Sequence, residues 1–378
     1  MNFKAFKERG IRELRGLGAL AYLSVFVACA AAMTDALGDA ENAPGVAKFV
    51  AGAALVFGAW TFIIAIHEIG HASLAWLMGW RVPVIAIRGM TIWPPQRRIK
   101  FGLPAFPGLG GAVLAVPRNP GYWRLRHSVI LLGGAAANFI LAAAAGLAGA
   151  ELQNGVFWPR YFDVIATLSA MTGLINLAPF RVWGTRSDGV RIFEILRGRD
   201  ITPDIHISQL FEEATEKKRP RDWNPALVQQ VRQDFDADRG DGYAGLLLFS
   251  RYFDQRDMVA ARAALDWAEN KRGSSDAGVR ILRAVLLAYV DGDADAARNW
   301  IAPVKSRKIK ATPDYWIALT AIEWARKDPK SLGAPARRAR AALKRSPFAI
   351  QADFEFLDEL EGLQNSATPV GESAFASS

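Results

Sequence analysis

An apolar run over residues 48–79 limits this chain most, because it carries His67-Glu-Ile-Gly-His71 near its end. A helix rises 1.5 Å per residue, so the run is long enough to cross about 30 Å of hydrocarbon. Residues i and i+4 of a helix share a face. Two imidazoles can therefore grip one Zn²⁺, with the intervening Glu68 placed as a general base. An ionisable side chain in hydrocarbon costs at least about 2.5 kcal/mol, so a Glu between two His inside such a run needs a reason to be there. Metal chemistry is that reason. The whole chain has only 4 His.

The apolar residues, 51% of the 378, are unevenly spread. Four apolar runs, at 17–34, 48–79, 128–150 and 161–180, read as membrane spans, and residues 181–378 read as polar and soluble. The first run is read as a retained span. Ala28-Cys-Ala-Ala-Ala32 offers a signal-type cleavage site, but the region before the run is long for a signal peptide. The expected fold is mainly α: a bundle of about four membrane helices with a short membrane-associated β-hairpin, then an α-helical repeat-like domain. The expected divisions are a basic N-terminus over 1–16, a transmembrane domain over 17–195, a helical domain over 196–363 and a disordered tail over 364–378.

Loop charges orient the spans. Residues 1–16 carry five Lys/Arg, the 35–47 loop carries Asp35, Asp39 and Glu41 without a base, and 81–127 carries eight Lys/Arg without an acid. By the positive-inside rule both termini and the helical domain are cytoplasmic, in what is read as a bacterial inner membrane. The net charge of +9 thus belongs to membrane topology and not to a nucleic-acid-binding face. The second span then runs inward, and His71 lies about 12 Å before its end, within the cytoplasmic leaflet. Cys29, the single cysteine, excludes an internal disulfide and reads as a packing residue.

Two His leave a tetrahedral zinc short of a protein ligand. Cys29 belongs to the external half of the first span. His127 follows Arg124 and Arg126 at a helix entrance, and His206 lies in the soluble part. Asp188, in the stretch Asn176-Leu-Ala-Pro179 to Ser187-Asp188-Gly189, ends the fourth span on the same side as the His pair. It has two readings from residues alone: a carboxylate ligand, or part of a turn that caps the next helix.

His67-Glu-Ile-Gly-His71 in a transmembrane helix, followed by Asn-x-x-Pro and an Asp-Gly, resembles the site-2 protease family of intramembrane zinc metalloproteases. The resemblance covers roughly residues 48–195. It implies that Asp188 is the third zinc ligand, and that Gly134-Ala-Ala-Ala-Asn138 corresponds to a family element with Pro where this chain has Ala135. The Pro179-to-Asp188 gap is a few residues longer than is common in the family. Asn138 and Asn176 would position substrate or the oxyanion; from the residues, interhelical hydrogen bonding is an equal reading of both. The implied activity is hydrolysis of peptide bonds in transmembrane protein substrates, in regulated proteolysis, with Glu68 as the base.

Such a substrate must expose its backbone. Two β-rich runs in Val82–Phe101 flank a Pro94-Pro95 turn and read as a hairpin whose edge pairs with an unwound substrate; the plainer reading is an interfacial loop. The Gly- and Pro-rich run to Pro120 reads as flexible. In the polar half, Tyr252–Arg262 parallels Tyr289–Arg298, with a looser copy leading to Arg337. This resembles degenerate tetratricopeptide-like helical hairpins that present a face to a peptide or protein partner, with a generic helical bundle as the alternative. Trp267, Trp300, Trp316 and Trp324 read as core. The basic run Arg337–Arg345 reads most simply as a solvated helix face, with contact to the bilayer surface as the lesser reading. Two rivals to the protease remain at this point. One is a catalytically silent membrane scaffold, against which the intact His67, Glu68 and His71 argue. The other is a metalloprotease that cuts soluble proteins.

Overall fold

The computed structural model describes residues 24–37, 45–102, 110–118, 121–152, 155–179, 181–182 and 185–365. The expected basic N-terminus, the start of the first span and nearly all of the expected tail lie outside these residues. The described chain is mainly helical with a small antiparallel sheet. It divides into two compact units, residues 1–87 with 110–200, and residues 88–109 with 201–378.

The first unit holds α1 (Ser24–Ala36), α2 (Gly45–Leu77), α3 (Trp123–Glu151), α4 (Phe157–Leu177) and α5 (Asp188–Leu196). Of these, α2 and α3 are long and apolar enough to cross a membrane. The sequence leads to an expectation of four such spans. What is described of α1 is shorter, and α4, at 21 residues, carries Arg160 and Asp163 in its first two turns. Helix α2 runs 33 residues because it contains neither Pro nor any acidic residue before Glu68. It crosses α3 backbone to backbone. A Cβ on Gly70 would lie 2.3 Å from the Gly133 carbonyl oxygen, and one on Gly133 would lie 2.6 Å from that of Gly70. Small residues at a crossing allow this approach. Buried Cys29 and Met33 of α1 join Val56, Ile63, Val164 and Leu168 in one apolar cluster, which gives Cys29 the packing role expected of it.

After α2 the chain turns at Gly79 (φ +77°) into β1 (Trp80–Ile87), which pairs antiparallel with β4 (Gly111–Pro117). The register shifts between Arg81 and Val84, where Pro83 has no N–H to give the ladder. The run to Pro120 is therefore not wholly irregular, since Ala112–Val116 is apolar and completes a strand. A short ladder of β5 (Arg181–Val182) and β6 (Thr185–Arg186) joins α4 to α5.

In the second unit β2 (Met90–Trp93) pairs with β3 (Arg98–Phe101) around a turn closed by Arg97 N–H donating to the Pro94 carbonyl at 3.2 Å. The β2–β3 ladder is shorter than the expected Val82–Phe101, because the chain turns at Arg88 (φ 50°) and Gly89 before β2. Lys100 Nζ donates to the carbonyls of Lys344 (3.1 Å) and Ser346 (2.5 Å), and Trp93 meets Phe348 edge-on. The remainder is α6 (Thr202–Thr215), α7 (Pro225–Asp236), α8 (Tyr243–Asp254), α9 (Met258–Arg272), α10 (Ala277–Tyr289), α11 (Ala294–Ile301), α12 (Arg307–Lys310), α13 (Pro313–Ala325), α14 (Pro329–Arg345) and α15 (Gln351–Asn365). The self-similar stretches are three copies of one turn, between α8 and α9, α10 and α11, and α13 and α14. Each places a left-handed residue, Arg256 (φ 64°), Gly292 (φ 68°) or Lys327 (φ 57°), before an Asp. Asp257, Asp293 and Asp328 then each accept a backbone N–H as N-cap of the next helix. Trp267, Trp300 and Trp324 pack against the two main helical cores, and Trp316 packs against a third cluster with Ile317, Leu343 and Leu357.

Candidate metal centre

His67 and His71 are one turn apart on α2 and both are buried. Asp188 reaches them from the first residue of α5. His67 Nε2 and His71 Nε2 are 3.1 Å apart, and each is 3.3 Å from Asp188 Oδ2. A four-coordinate ion with bonds of about 2.0–2.1 Å needs ligand atoms about 3.3–3.4 Å apart. The triangle has nearly that edge, so the three side chains can hold a metal ion through one face of a tetrahedron.

The two readings of Asp188 separate once the cap is seen. Ser187 caps α5, its Oγ accepting from Val190 N–H at 3.2 Å and donating to the Ala178 carbonyl at 2.7 Å. That frees the Asp188 carboxylate to face the imidazoles. Burial raises this carboxyl, and the adjoining His67 and His71 more than reverse that, holding it well below the usual carboxylate range. It is an anion at neutral pH and offers a hard oxygen donor.

The far nitrogens of the imidazoles are also engaged. His71 Nδ1 donates to the Ile130 carbonyl at 2.7 Å, so Nε2 is the nitrogen that faces the cluster. The side-chain amide of Asn138, fully buried on α3, lies 3.2 Å from His67 Nδ1, and its Oδ1 has no partner. Ligation through His67 Nε2 requires a proton on Nδ1. A half-turn of the amide brings Oδ1 into place to accept it, and heavy-atom positions do not distinguish the two orientations. In that tautomer the two Nε2 lone pairs and the Asp188 carboxylate oxygen would face one another as the donor set of a cation, whereas without an ion a proton on an imidazole Nε2 can bridge to Asp188.

Glu68 is buried between the two His, and β4 runs directly against it. A Cβ on Gly111 would lie 2.4 Å from Glu68 Oε1. A Cβ on Gly134 would lie 2.5 Å from both His67 Cε1 and His71 Nε2. A side chain at either place would force Glu68 or the two imidazoles to shift.

The sequence-predicted residues thus part company. His67, His71 and Asp188 meet, Glu68 follows His67 on α2, and buried Asn138 touches His67. Asn176 instead donates to the Thr172 carbonyl one turn back on α4. His127 packs on the Trp80 ring at 5.6 Å, and His206 bonds Asp234 Oδ2 at 2.6 Å in the second unit. Sequence reasoning missed the Ile130 carbonyl, which as backbone leaves no signature, and the strand beside Glu68. The Gly134-to-Asn138 spacing was a usable signal, since i and i+4 put both on the face of α3 that meets the imidazoles. No protein-family model, curated protein or solved structure matches this chain.

Proposed function

We propose that this chain is an intramembrane zinc metalloendopeptidase that hydrolyses peptide bonds of membrane-embedded protein substrates. The observation that carries the reading is the convergence of His67, His71 and Asp188 beside a buried Glu68 on a helix long and apolar enough to span a bilayer. Two imidazoles and one carboxylate with an adjacent Glu suit Zn²⁺ better than Mg²⁺ or Ca²⁺, which favour all-oxygen shells. In this reading α1 to α4 are four membrane helices. Large apolar side chains that face outward on α2 and α3, such as Phe49, Phe57, Phe62, Ile140 and Leu147, suit a lipid surround. Both termini are cytoplasmic, as loop charge directs.

When bound, Zn²⁺ supplies Lewis acidity that polarises the scissile carbonyl and acidifies water. Glu68 takes the proton of the attacking water and delivers it to the leaving amine. Asn138 and the Ile130 carbonyl hold the imidazole rings, so Asn138 is a positioning residue. The edge that offers itself to substrate is β4, whose Gly111 abuts Glu68 and which pairs with β1 on one side only among the described residues. An unwound substrate segment adding to that edge would present its backbone extended beside the base. This moves the substrate platform from the β2–β3 hairpin to β4. The second unit, read as tetratricopeptide-like helix pairs, would recruit a peptide or protein partner.

The test is metal content and cleavage of single-span test substrates by purified wild type, Glu68→Gln and Asp188→Ala in detergent. Glu68→Gln should keep its metal and lose cleavage at least about a hundredfold, and Asp188→Ala should lose its metal. A metal-free wild type would overturn the reading in favour of a membrane scaffold that binds through its helical unit.

A further inference from the structure

The ionic side chains of the second unit are mostly spoken for. Arg219 binds Asp254 and Glu355, Arg256 binds Glu359, Arg283 binds Asp266 and Glu269, and Arg340 binds Asp358 and Glu361. One place breaks the pattern. Arg307 and Lys310 of α12 and Arg338 and Arg345 of α14 line a single open cavity of about 360 Å³, whose other walls are Ala311, Trp316 and Ala341. Among the described residues no carboxylate lines it. Among the described residues none of these four cations forms an ion pair or a side-chain hydrogen bond. Arg338 lies over the Trp316 ring at 4.7 Å, and Lys310 lies 5.9 Å from the Tyr315 ring.

A solvated helix face explains basic residues along α14 alone. It does not explain why a second helix turns two more cations into the same concavity, where like charges repel and no acid relieves them. We infer that this cavity binds a phosphate-bearing anionic group, and that its source is the headgroup of an anionic membrane lipid. Arginine forks and a lysine ammonium match phosphate oxygens, and a cavity of this volume admits one headgroup. Trp316 is the one large apolar side chain in the described lining, and Arg338 lies over its ring, which leaves little for side-chain recognition of an acidic peptide. Only five residues separate α5 from α6 in sequence. The expected side of the helical unit is the cytoplasmic leaflet, where anionic lipids create a negative surface potential. The inference goes beyond the peptidase reading and needs only the chain's membrane location.

The experiment is arginine footprinting with phenylglyoxal on the full chain in nanodiscs, read by peptide mass spectrometry. Discs of phosphatidylcholine alone are compared with discs containing phosphatidylglycerol. Arg338 and Arg345 should be modified at least about fivefold more slowly in the anionic discs, with Arg221 of the same unit as the unprotected control. Raising salt should erase the protection. In detergent, the variant Arg307→Gln/Arg338→Gln/Arg345→Gln should retain anionic lipid in native mass spectra about a hundredfold less well than wild type, at about fivefold per cation removed. Equal reactivity in both discs would overturn the inference. So would protection in phosphatidylcholine discs by inorganic phosphate, which points to a soluble phosphate ester, or by a polyglutamate peptide, which points to a protein partner.

Discussion

The two units handle polar groups in opposite ways. In the first, a few polar side chains converge: His67, His71, Asn138 and Asp188 form one connected group, and buried Glu68 is coupled to it through the charges of His71 and Asp188. In the second, charges are many and settle their accounts two or three at a time, as Arg262 does with Asp291 or Arg298 with Glu323. Convergence makes a polar group indispensable, because each member relies on the others and water cannot replace them. Dispersal makes each one expendable, since exposed ion pairs contribute only about 0–1 kcal/mol.

The sharpest way to break this contrast is to disturb the convergent group without touching a ligand. Gly134→Ala forces a methyl into both imidazoles, and loss of bound metal is expected, measured by elemental analysis of purified protein. If Gly134→Ala keeps wild-type metal affinity, the packing of α3 against the ligands is not what holds them. Next in size, Asn138→Ala should weaken metal binding about 10–100-fold, as loss of a hydrogen-bond partner of a ligating His does, in a competition titration with a chelator. Asn176→Ala, which removes only an i−4 bond on α4, should leave that affinity unchanged.

In the second unit the same logic predicts small, local effects. Asp293→Ala should cost about 1 kcal/mol of stability by removing a cap, read from denaturant unfolding. Lys327→Gly should do the reverse by about 0.5–1 kcal/mol, since Gly292 already fills the equivalent left-handed position in a sister turn. A pH effect sharpens the comparison further. Burial pushes the Asp353 carboxyl up to about 7, opposed by the Ile350 N–H and aided by the charges of Asp314 and Asp254. A carboxyl raised above its unfolded value binds more protons folded than unfolded, so stability falls as pH rises from about 4 to about 7. Asp353→Asn should therefore raise Tm at pH 8 and change it little at pH 4.

How much of this was legible before the structure depended on whether a group's partners were near in sequence. The His pair is a local signal, fixed by helical periodicity, and it was plain. The three Asp caps are local too, and they showed as self-similarity although the left-handed residue before each was invisible. Asp188 is distant, so its residues alone left it balanced between ligand and cap until Ser187 proved to be the cap. The strand at Gly111–Pro117 was hidden because its pairing with β1 and its approach to Glu68 are both non-local, while its Gly- and Pro-rich approach suggested a loop. The membrane spans were read from hydropathy, which α2 and α3 satisfy and the charged start of α4 does not.

The placement of Asp188 has one more consequence. Its partners stand roughly 120 residues earlier, so an ion shared by the three side chains ties off a loop that contains β1, β4, α3 and α4. Such an ion acts as a reversible cross-link on the unfolded chain. Its concentration would then set how tightly the α4–α5 junction is fastened to α2, and folding and metal supply would become a single equilibrium.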